Sequence, residues 1–263
     1  MIITATLPAV SMRRLEWDSA HFGVPVAEIP SPDLTDDELR DVLTAARDEG
    51  VSLLYWATRR DRTLPPDLLS EFHGLTANHR AKFVAPAEPE SAGSTPTTRG
   101  TQPVYRVFEW PRGAATRGLL DLAIVAGGHS RFQVDQRIPV EKFHGLYETW
   151  MTRSTLHELA DVVLVATPLD AADDLVGTIT LSETAGAGQI GLLAVREDHR
   201  GRGVATLLMT AAHDWLRLRG ATELTVVTQL ENYAACQLYS RWNCELAEVR
   251  LWFHFWPQLA EPR

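Results

Sequence analysis

Hydrophobic positions along this chain follow helical spacing in some stretches and form strand-like runs in others. The clearest helical stripe lies within residues 203–219, where apolar side chains recur on one face: Val204, Leu207, Leu208, Ala211, Ala212 and Trp215. A second helix is predicted over 35–50, because Thr35 precedes three acidic residues in the first turn and an apolar stripe follows them.

Further elements follow from the same pattern. Strands are predicted over 14–29 with a turn at 23–25, and over 51–57, 104–110, 162–166, 175–181, 189–195, 223–228 and 245–255. Helices are predicted over 116–126, 140–158 and 232–242. Strands that alternate with helices are typical of the α/β class.

Composition divides the chain. Residues 85–102 are rich in Pro, Ser, Thr, Gly and Ala and carry almost no large apolar side chain, which is typical of a linker or a long surface loop. We therefore predict an N-terminal α/β domain over 1–85, a linker over 86–102 and a larger domain over 103–263.

Charge and cysteine content exclude several classes of function. The chain carries 34 acidic against 25 basic residues, a net charge of −9, which argues against broad nucleic-acid binding. Its two cysteines form no disulfide framework, and no Cys/His spacing indicates a zinc or other metal site. Arg13 and Arg14 follow the apolar start rather than precede it, and no apolar run is long enough to span a membrane. We expect a cytoplasmic protein with no membrane partner.

The strongest local signal is a strand that enters a Gly-rich turn, Arg200-Gly201-Arg202-Gly203, at the start of the best helix. Glycines let a backbone approach a ligand closely, and a helix N-terminus attracts phosphate. The alternative is a plain strand–turn–helix connection. The turn matches neither dinucleotide nor ATP phosphate-binding motifs. Residues 196–203 hold three arginines against two carboxylates, which leaves one positive charge there.

Two motifs resemble those of the GNAT acetyltransferase superfamily. Arg200-x-x-Gly203-x-Ala205 resembles its acetyl-CoA signature, and Asn232-x-x-Ala235-x-x-Leu238-Tyr239 resembles its second landmark. The resemblance implies the GNAT fold, an α/β (α+β) arrangement in which helices flank a mixed, mostly antiparallel twisted sheet. It also implies acetyl-CoA as co-substrate, with no metal. The implied cofactor-binding residues are Leu193, Ala194, Val195, Arg200, Gly201, Arg202, Gly203, Val204, Ala205 and Asn232.

Within the superfamily, the chain is most similar to acetyltransferases of TDP-linked amino sugars. The similarity lies in residues 15–23, in Ser130-Arg131-Phe132 with Asp135, and in 190–193 and 227–229, and it is thin across 61–102. It implies a nucleotide-sugar acceptor. An aminoglycoside, a small amine or a peptide N-terminus as acceptor stays open, as do a non-catalytic acyl-CoA-binding module and a homodimer.

Candidate catalytic residues follow from the chemistry of direct acetyl transfer. Tyr239 is protonated at neutral pH and is the candidate general acid, or else a helix tyrosine packed by its ring. Glu183 is the first candidate base, or else a solvated loop carboxylate. His129 is the second candidate base, or else a packing or capping residue.

Candidate substrate-binding residues are His129, Arg131 and Phe132. The guanidinium of Arg131 matches phosphate geometry, although a surface ion pair explains it equally well. Phe132, Tyr147 and Trp150 could wall a sugar or stack on a base, but aromatic residues at helical spacing are more often part of a core.

Overall fold

The computed structural model describes residues 12–86 and 104–259. The predicted linker, 86–102, lies outside the described residues except for Pro86, so the predicted division of the chain stays a prediction. By internal contacts, the chain forms two compact units. The first comprises Met1–Arg80, Val134–Ile138 and Val249–Arg263, and the second comprises Ala81–Gln133 and Pro139–Glu248.

Strands and helices alternate along much of the chain. The strands are Arg13–Arg14 (β1), Val26–Ile29 (β2), Leu53–Arg59 (β3), Leu75–Pro86 (β4), Tyr105–Glu109 (β5), Val162–Pro168 (β6), Gly177–Thr184 (β7), Ala187–Val195 (β8), Glu223–Gln229 (β9) and Glu245–Phe255 (β10). The helices are Glu16–Phe22 (α1), Asp36–Asp48 (α2), Pro66–Glu71 (α3), Arg117–Ala126 (α4), Arg131–Val134 (α5), Val140–Thr155 (α6), Val204–Leu218 (α7) and Tyr233–Arg241 (α8). None of these helices has the length and apolarity needed to cross a bilayer.

The first unit is built on strands in the order β1-β2-β3-β10. β2 and β3 run parallel and are joined by α2. The helix begins after Thr35 as predicted, and the structure adds a capping box between Thr35 and Glu38. The buried face of α2 packs on the strands through Leu39, Val42, Leu43 and Ala46. This strand–helix–strand unit confirms the α/β pattern read from the sequence.

The extended structure predicted over 14–29 is wrong in its first half. Residues 16–22 form α1, which ends at Gly23 in the left-handed conformation with φ 74°. Glu16 and Asp18 lie in its first turn, where the helix dipole favours negative charge. Val26–Ile29 forms the expected strand, and Arg14 belongs to the short strand β1. The helix has just seven residues, too few for periodicity to reveal it.

The second unit is a mixed sheet in the order β4-β9-β8-β7-β6-β5. β5, β6, β7 and β8 pair antiparallel in succession, and β8 and β9 run parallel. One face of this sheet packs closely against α7. Gly177 and Gly188 lie on that face, and a side chain at either position would collide with α7 residues. α4 contacts β8 and packs against α6. The mixed, mostly antiparallel sheet flanked by helices confirms the predicted fold class.

A polar network around the buried carboxylate of Asp135 stabilises the first unit. The carboxylate of Asp135, 1% exposed, accepts hydrogen bonds from His254 Nδ1 at 2.9 Å, Trp256 Nε1 at 2.8 Å and Arg137 Nε at 2.9 Å. Burial alone raises the pKa of Asp135, but the hydrogen bonds from His254 and Trp256 and the Arg137 charge outweigh it and hold the pKa well below its usual range. The network ties residues 134–138 to β10.

Replacing Asp135 with Asn should lower the free energy of unfolding by about 3 kcal/mol at neutral pH, because buried donors lose their charged acceptor. The pKa of Asp135 is depressed in the folded state. Its stabilisation is therefore present above the unfolded pKa of about 3.9 and is lost as the pH falls below it. Denaturant unfolding measured from pH 7 to pH 3 tests this prediction.

The matched control is Asp48→Asn, on the exposed last residue of α2. It should change the stability by less than about 0.5 kcal/mol. A loss in Asp135→Asn no larger than in this control would contradict the role assigned to the network.

Candidate active site

Two neighbouring parallel strands separate part-way along their length. β8 and β9 pair from Ala187–Glu223 to Ile190–Val226, and their pairing stops there although β8 continues to Val195 and β9 to Gln229. Within the described residues, the β9-facing backbone groups of Gly191–Val195 therefore have no strand partner. Unpaired backbone N–H and C=O groups require hydrogen bonds from elsewhere. The opening is a wedge whose edge can pair with an extended, amide-containing ligand.

A β-bulge lies where the wedge begins. Ile179 pairs with Leu193 and Leu181 with Ile190, so Gly191 and Leu192 together oppose Thr180. The hydroxyl oxygen of Thr180 accepts a hydrogen bond from the Leu192 N–H at 2.8 Å. A side chain at Gly191 would come within 2.7 Å of that oxygen. The bulge therefore depends on glycine at this position, and it bends β8 as it leaves β9.

The Gly-rich turn follows directly at the open end of the wedge. Gly201 and Gly203 adopt the left-handed conformation with φ 71° and 85°, and a Cβ at either position would meet no described atom within 4 Å. Gly203 is the N-cap of α7 and provides no side-chain cap. The first N–H groups of α7 are thus left for an external acceptor. This combination fits a phosphate group.

The charge at this turn differs from the count along the sequence. Arg196 forms a bidentate ion pair with Asp174 and a second with Asp198. The side-chain hydrogen bonds to Asp174 and Asp198 raise the pKa of Arg196. With Asp174 included, three carboxylates balance three arginines, and the expected positive surplus disappears. Arg200 holds the turn through a hydrogen bond from Nε to the Val195 carbonyl at 3.2 Å, and Arg202 is exposed.

The second predicted motif begins at the same edge of the sheet. β8 and β9 are parallel, so α7 and α8, which follow them, both start near the open end of the wedge. Asn232 is the N-cap of α8, where its side-chain oxygen accepts a hydrogen bond from Ala235 N–H at 3.2 Å. The side-chain NH₂ group of Asn232 remains available to donate to a ligand. The predicted cofactor residues therefore surround the wedge.

Tyr239 is buried in the core of the second unit, 4% exposed, with its ring 5.9 Å from that of Phe83. Burial raises the pKa of its hydroxyl, so the residue is a neutral proton donor throughout the physiological range. Burial also raises the pKa of the Cys236 thiol and raises that of Cys244 to about 11. Neither thiol is activated as a nucleophile.

Glu183 lies far from the Gly-rich turn. It pairs with Gly188 near the tip of the β7–β8 hairpin, and its carboxylate accepts a hydrogen bond from Gly186 N–H at 2.6 Å. Gly188 and Val195 are seven residues apart on β8, which corresponds to about 23 Å. The structure thus gives Glu183 a turn-stabilising contact and does not bring it beside the cofactor residues.

The predicted substrate residues lie on one segment after α4. His129 is exposed, while Arg131 and Phe132 are half-buried, and the Arg131 guanidinium lies over the Phe132 ring at 4.5 Å. The neighbouring Ser130 is buried and hydrogen-bonds to Tyr147 of α6. This arrangement orders the segment and leaves Arg131 and Phe132 partly accessible.

Sequence reasoning missed the bulge. A glycine within an otherwise apolar strand, as at Gly191, is a recognised signal for a bulge and was available in the sequence. The pairing of Arg196 with Asp174 had no such signal, because 22 positions separate the two residues. Within the described ranges, no cluster of three His, Cys, Asp or Glu side chains could hold a metal ion.

Part of the chain is similar to known acetyltransferases. Residues 132–243 match the family model described as acetyltransferase (GNAT) family. The chain is 32% identical over 100 residues to N-alpha-acetyltransferase 30 from Schizosaccharomyces pombe, covering 36% of this chain and 65% of the relative. It is 30% identical over 137 residues to dTDP-fucosamine acetyltransferase from Escherichia coli O6:H1, covering 52% of this chain and 57% of the relative. The chain thus spans only part of both relatives.

Solved structures share the fold. The GCN5-related N-acetyltransferase from Sphaerobacter thermophilus superposes with a TM-score of 0.58 at 17% identity, covering 91% of this chain and 75% of that one. At this identity the similarity concerns the fold alone.

Replacing Gly203 with Ala should raise the Kd for acetyl-CoA at least tenfold, because the substitution strains the turn and puts a methyl group where the phosphate would bind. The left-handed conformation should also cost about 1 kcal/mol of stability. Titration calorimetry with acetyl-CoA and denaturant unfolding measure the two effects.

Gly220→Ala is the matched control, since Gly220 follows the other end of α7 with φ 70° and equally open surroundings. It should lose similar stability and keep its affinity for acetyl-CoA. Equal Kd values for the two variants would rule out the Gly203 turn as the phosphate site.

Proposed function

We propose that this chain transfers an acetyl group from acetyl-CoA to the amine of a TDP-linked amino-deoxy sugar, because residues 132–243 match the acetyltransferase (GNAT) family model. The observation that carries acetyl-CoA use is the wedge between β8 and β9, which opens beside an uncapped helix N-terminus. An unpaired strand edge suits the amides of the pantetheine arm, and free helix N–H groups suit the pyrophosphate.

Different parts of the cofactor would meet different groups of this chain. The backbone of Leu193, Ala194 and Val195 would hydrogen-bond to the arm. The turn from Arg200 to Ala205 would hold the pyrophosphate mainly through backbone N–H groups, since the local ion pairs leave no surplus positive charge. The side-chain NH₂ group of Asn232 would add a donor.

Acetyl-CoA supplies an activated thioester, and the acceptor amine attacks it directly. Tyr239 serves as the general acid that protonates the leaving thiolate. Its raised pKa keeps the proton in place at neutral pH. The raised pKa values of Cys236 and Cys244 disfavour an acyl-cysteine intermediate.

A strong general base is not required for such an acceptor. A sugar amine titrates near an α-amino group, so about a quarter of it is neutral at pH 7.5. A weak base or a water molecule can remove the second proton. Glu183 is therefore not needed as a base, which is consistent with its hydrogen bond to the hairpin turn.

The acceptor class rests on the similarity to dTDP-fucosamine acetyltransferase, which extends over 52% of this chain. The similarity to N-alpha-acetyltransferase 30 covers 36% and supports a second candidate, acetylation of a peptide N-terminus. Arg131, half-buried after α4, would pair with the diphosphate of a nucleotide sugar, a group that a peptide lacks.

The direct test is thiol release from acetyl-CoA in the presence of TDP-amino sugars, peptides with free N-termini, and aminoglycosides. Turnover confined to TDP-amino sugars would support the proposal. Turnover confined to peptides or aminoglycosides would overturn the acceptor assignment. Binding of acetyl-CoA with no release from any acceptor would favour a non-catalytic module.

Tyr239→Phe should lower kcat by about 10²–10⁴-fold, the usual contribution of a general acid, with the Kd for acetyl-CoA nearly unchanged. The control is Tyr233→Phe on the same helix, where the tyrosine is 75% exposed and should not affect turnover. Thiol-release assays at saturating substrate concentrations measure kcat for both variants, and calorimetry measures their Kd for acetyl-CoA. An unchanged kcat in Tyr239→Phe would remove Tyr239 from the mechanism.

A further inference from the structure

A cleft of about 300 Å³ opens on the second unit, lined by residues of α6, β7 and β8. Its lining includes Trp150, Thr180, Ser182, Gln189 and Gly191. Side chains alternate across a sheet, and the face of Gly177 and Gly188 packs against α7. Ser182 and Gln189 therefore point to the opposite face, toward α6. The cleft is separate from the Gly-rich turn, which leads into α7.

The cleft lies on the α6 side of the sheet and reaches the point where the wedge starts. Gly191 lines the cleft and directly follows Ile190, where the pairing of β8 with β9 ends. The Trp150 indole lies close to this point, since its Nε1 would be 3.8 Å from a Cβ at Gly191. A group in the cleft and a ligand in the wedge therefore meet at the same residue of β8.

The chemistry of the lining is neutral. Among the described residues that line the cleft, none carries a charge. The nearby carboxylates of Asp161 and Glu183 already accept hydrogen bonds from backbone N–H groups of Glu183 and Gly186. Hydroxyl, amide and indole N–H groups beside an aromatic face suit a neutral, hydroxylated ring. A polycation would bury its charges without partners there.

We propose that this cleft binds the amino-sugar ring of the acceptor, with the apolar face of the ring stacked on Trp150 and its hydroxyls bound by Ser182 and Gln189. The assignment rests on the proposed function and adds the acceptor subsite to it. Trp150 and Gln189 are then specificity-determining residues. Trp150 is half-buried, and its ring is held against Tyr147 at 5.9 Å and 22°, which presents a rigid stacking surface.

Two variants at one position test the stacking. Trp150→Leu keeps an apolar side chain and removes the aromatic face, whereas Trp150→Phe keeps a smaller aromatic ring. With a TDP-amino sugar as acceptor, Trp150→Leu should raise its KM about tenfold and Trp150→Phe less than about threefold. The Kd for acetyl-CoA and the thermal midpoint should be alike in both variants. Equal acceptor KM values in wild type and both variants would overturn the assignment.

A third variant tests the neutrality of the cleft. Gln189→Glu introduces a carboxylate on an exposed strand position, so the fold should tolerate it. It should lower kcat/KM for the TDP-amino sugar and raise kcat/KM for an aminoglycoside. The ratio of the two kcat/KM values should shift at least fivefold toward the aminoglycoside. An unchanged preference would exclude Gln189 from the subsite.

The failure of this inference differs from that of the proposed function. Suppose that the wild type and the Trp150 and Gln189 variants all acetylate TDP-amino sugars with the same KM. The acceptor then binds elsewhere, and the proposed function stands. If wild type releases no thiol with any TDP-amino sugar, both are overturned.

Discussion

The site depends on one incomplete strand pairing. β8 and β9 are parallel neighbours in the middle of a sheet, where backbone groups are normally fully hydrogen-bonded. Their pairing ends at Ile190–Val226, and the unpaired edge beyond it is stable only if another molecule or water satisfies it. The remaining strands, which pair along their lengths on the β7 side, hold this opening rigid. The fold thus maintains an opening that a ligand can complete.

The bulge at Gly191 explains why both substrates can reach the same point. An extra residue in β8 bends the strand away from β9 and produces the wedge on one side. The absence of a side chain at Gly191 leaves room for the cleft on the α6 side. A single glycine therefore serves the cofactor edge and the proposed acceptor subsite. Any larger residue would press on Thr180, whose hydroxyl holds the bulge through Leu192.

Local sequence signals predicted most of this arrangement because they reflect local physics. The start of α2 after Thr35, the helical stripe of α7 and the Gly-rich turn before it each depend on neighbours within a few residues. α1 and β4 escaped prediction, α1 because it is short and β4 because polar residues interrupt its apolar positions. The contacts of Asp174 with Arg196 and of Asp135 with His254 could not be inferred, because each joins residues that are far apart in the sequence. Placement of functional residues relative to one another is the part that required the structure.

An acidic protein can bind a polyanionic cofactor when attraction comes from oriented backbone groups. The Gly-rich turn has no surplus positive charge to offset the net charge of −9, because Arg196 is paired with Asp174 and Asp198. The groups that can attract the anion are the uncapped N-terminus of α7, with its converging N–H groups, and the exposed Arg200 and Arg202. Such dipoles act only within a few ångströms, and salt screens them less than it screens a diffuse positive surface. The chain can therefore bind a phosphate at this one point while the rest of its acidic surface repels nucleic acid. The difference lies in the local geometry of the helix end.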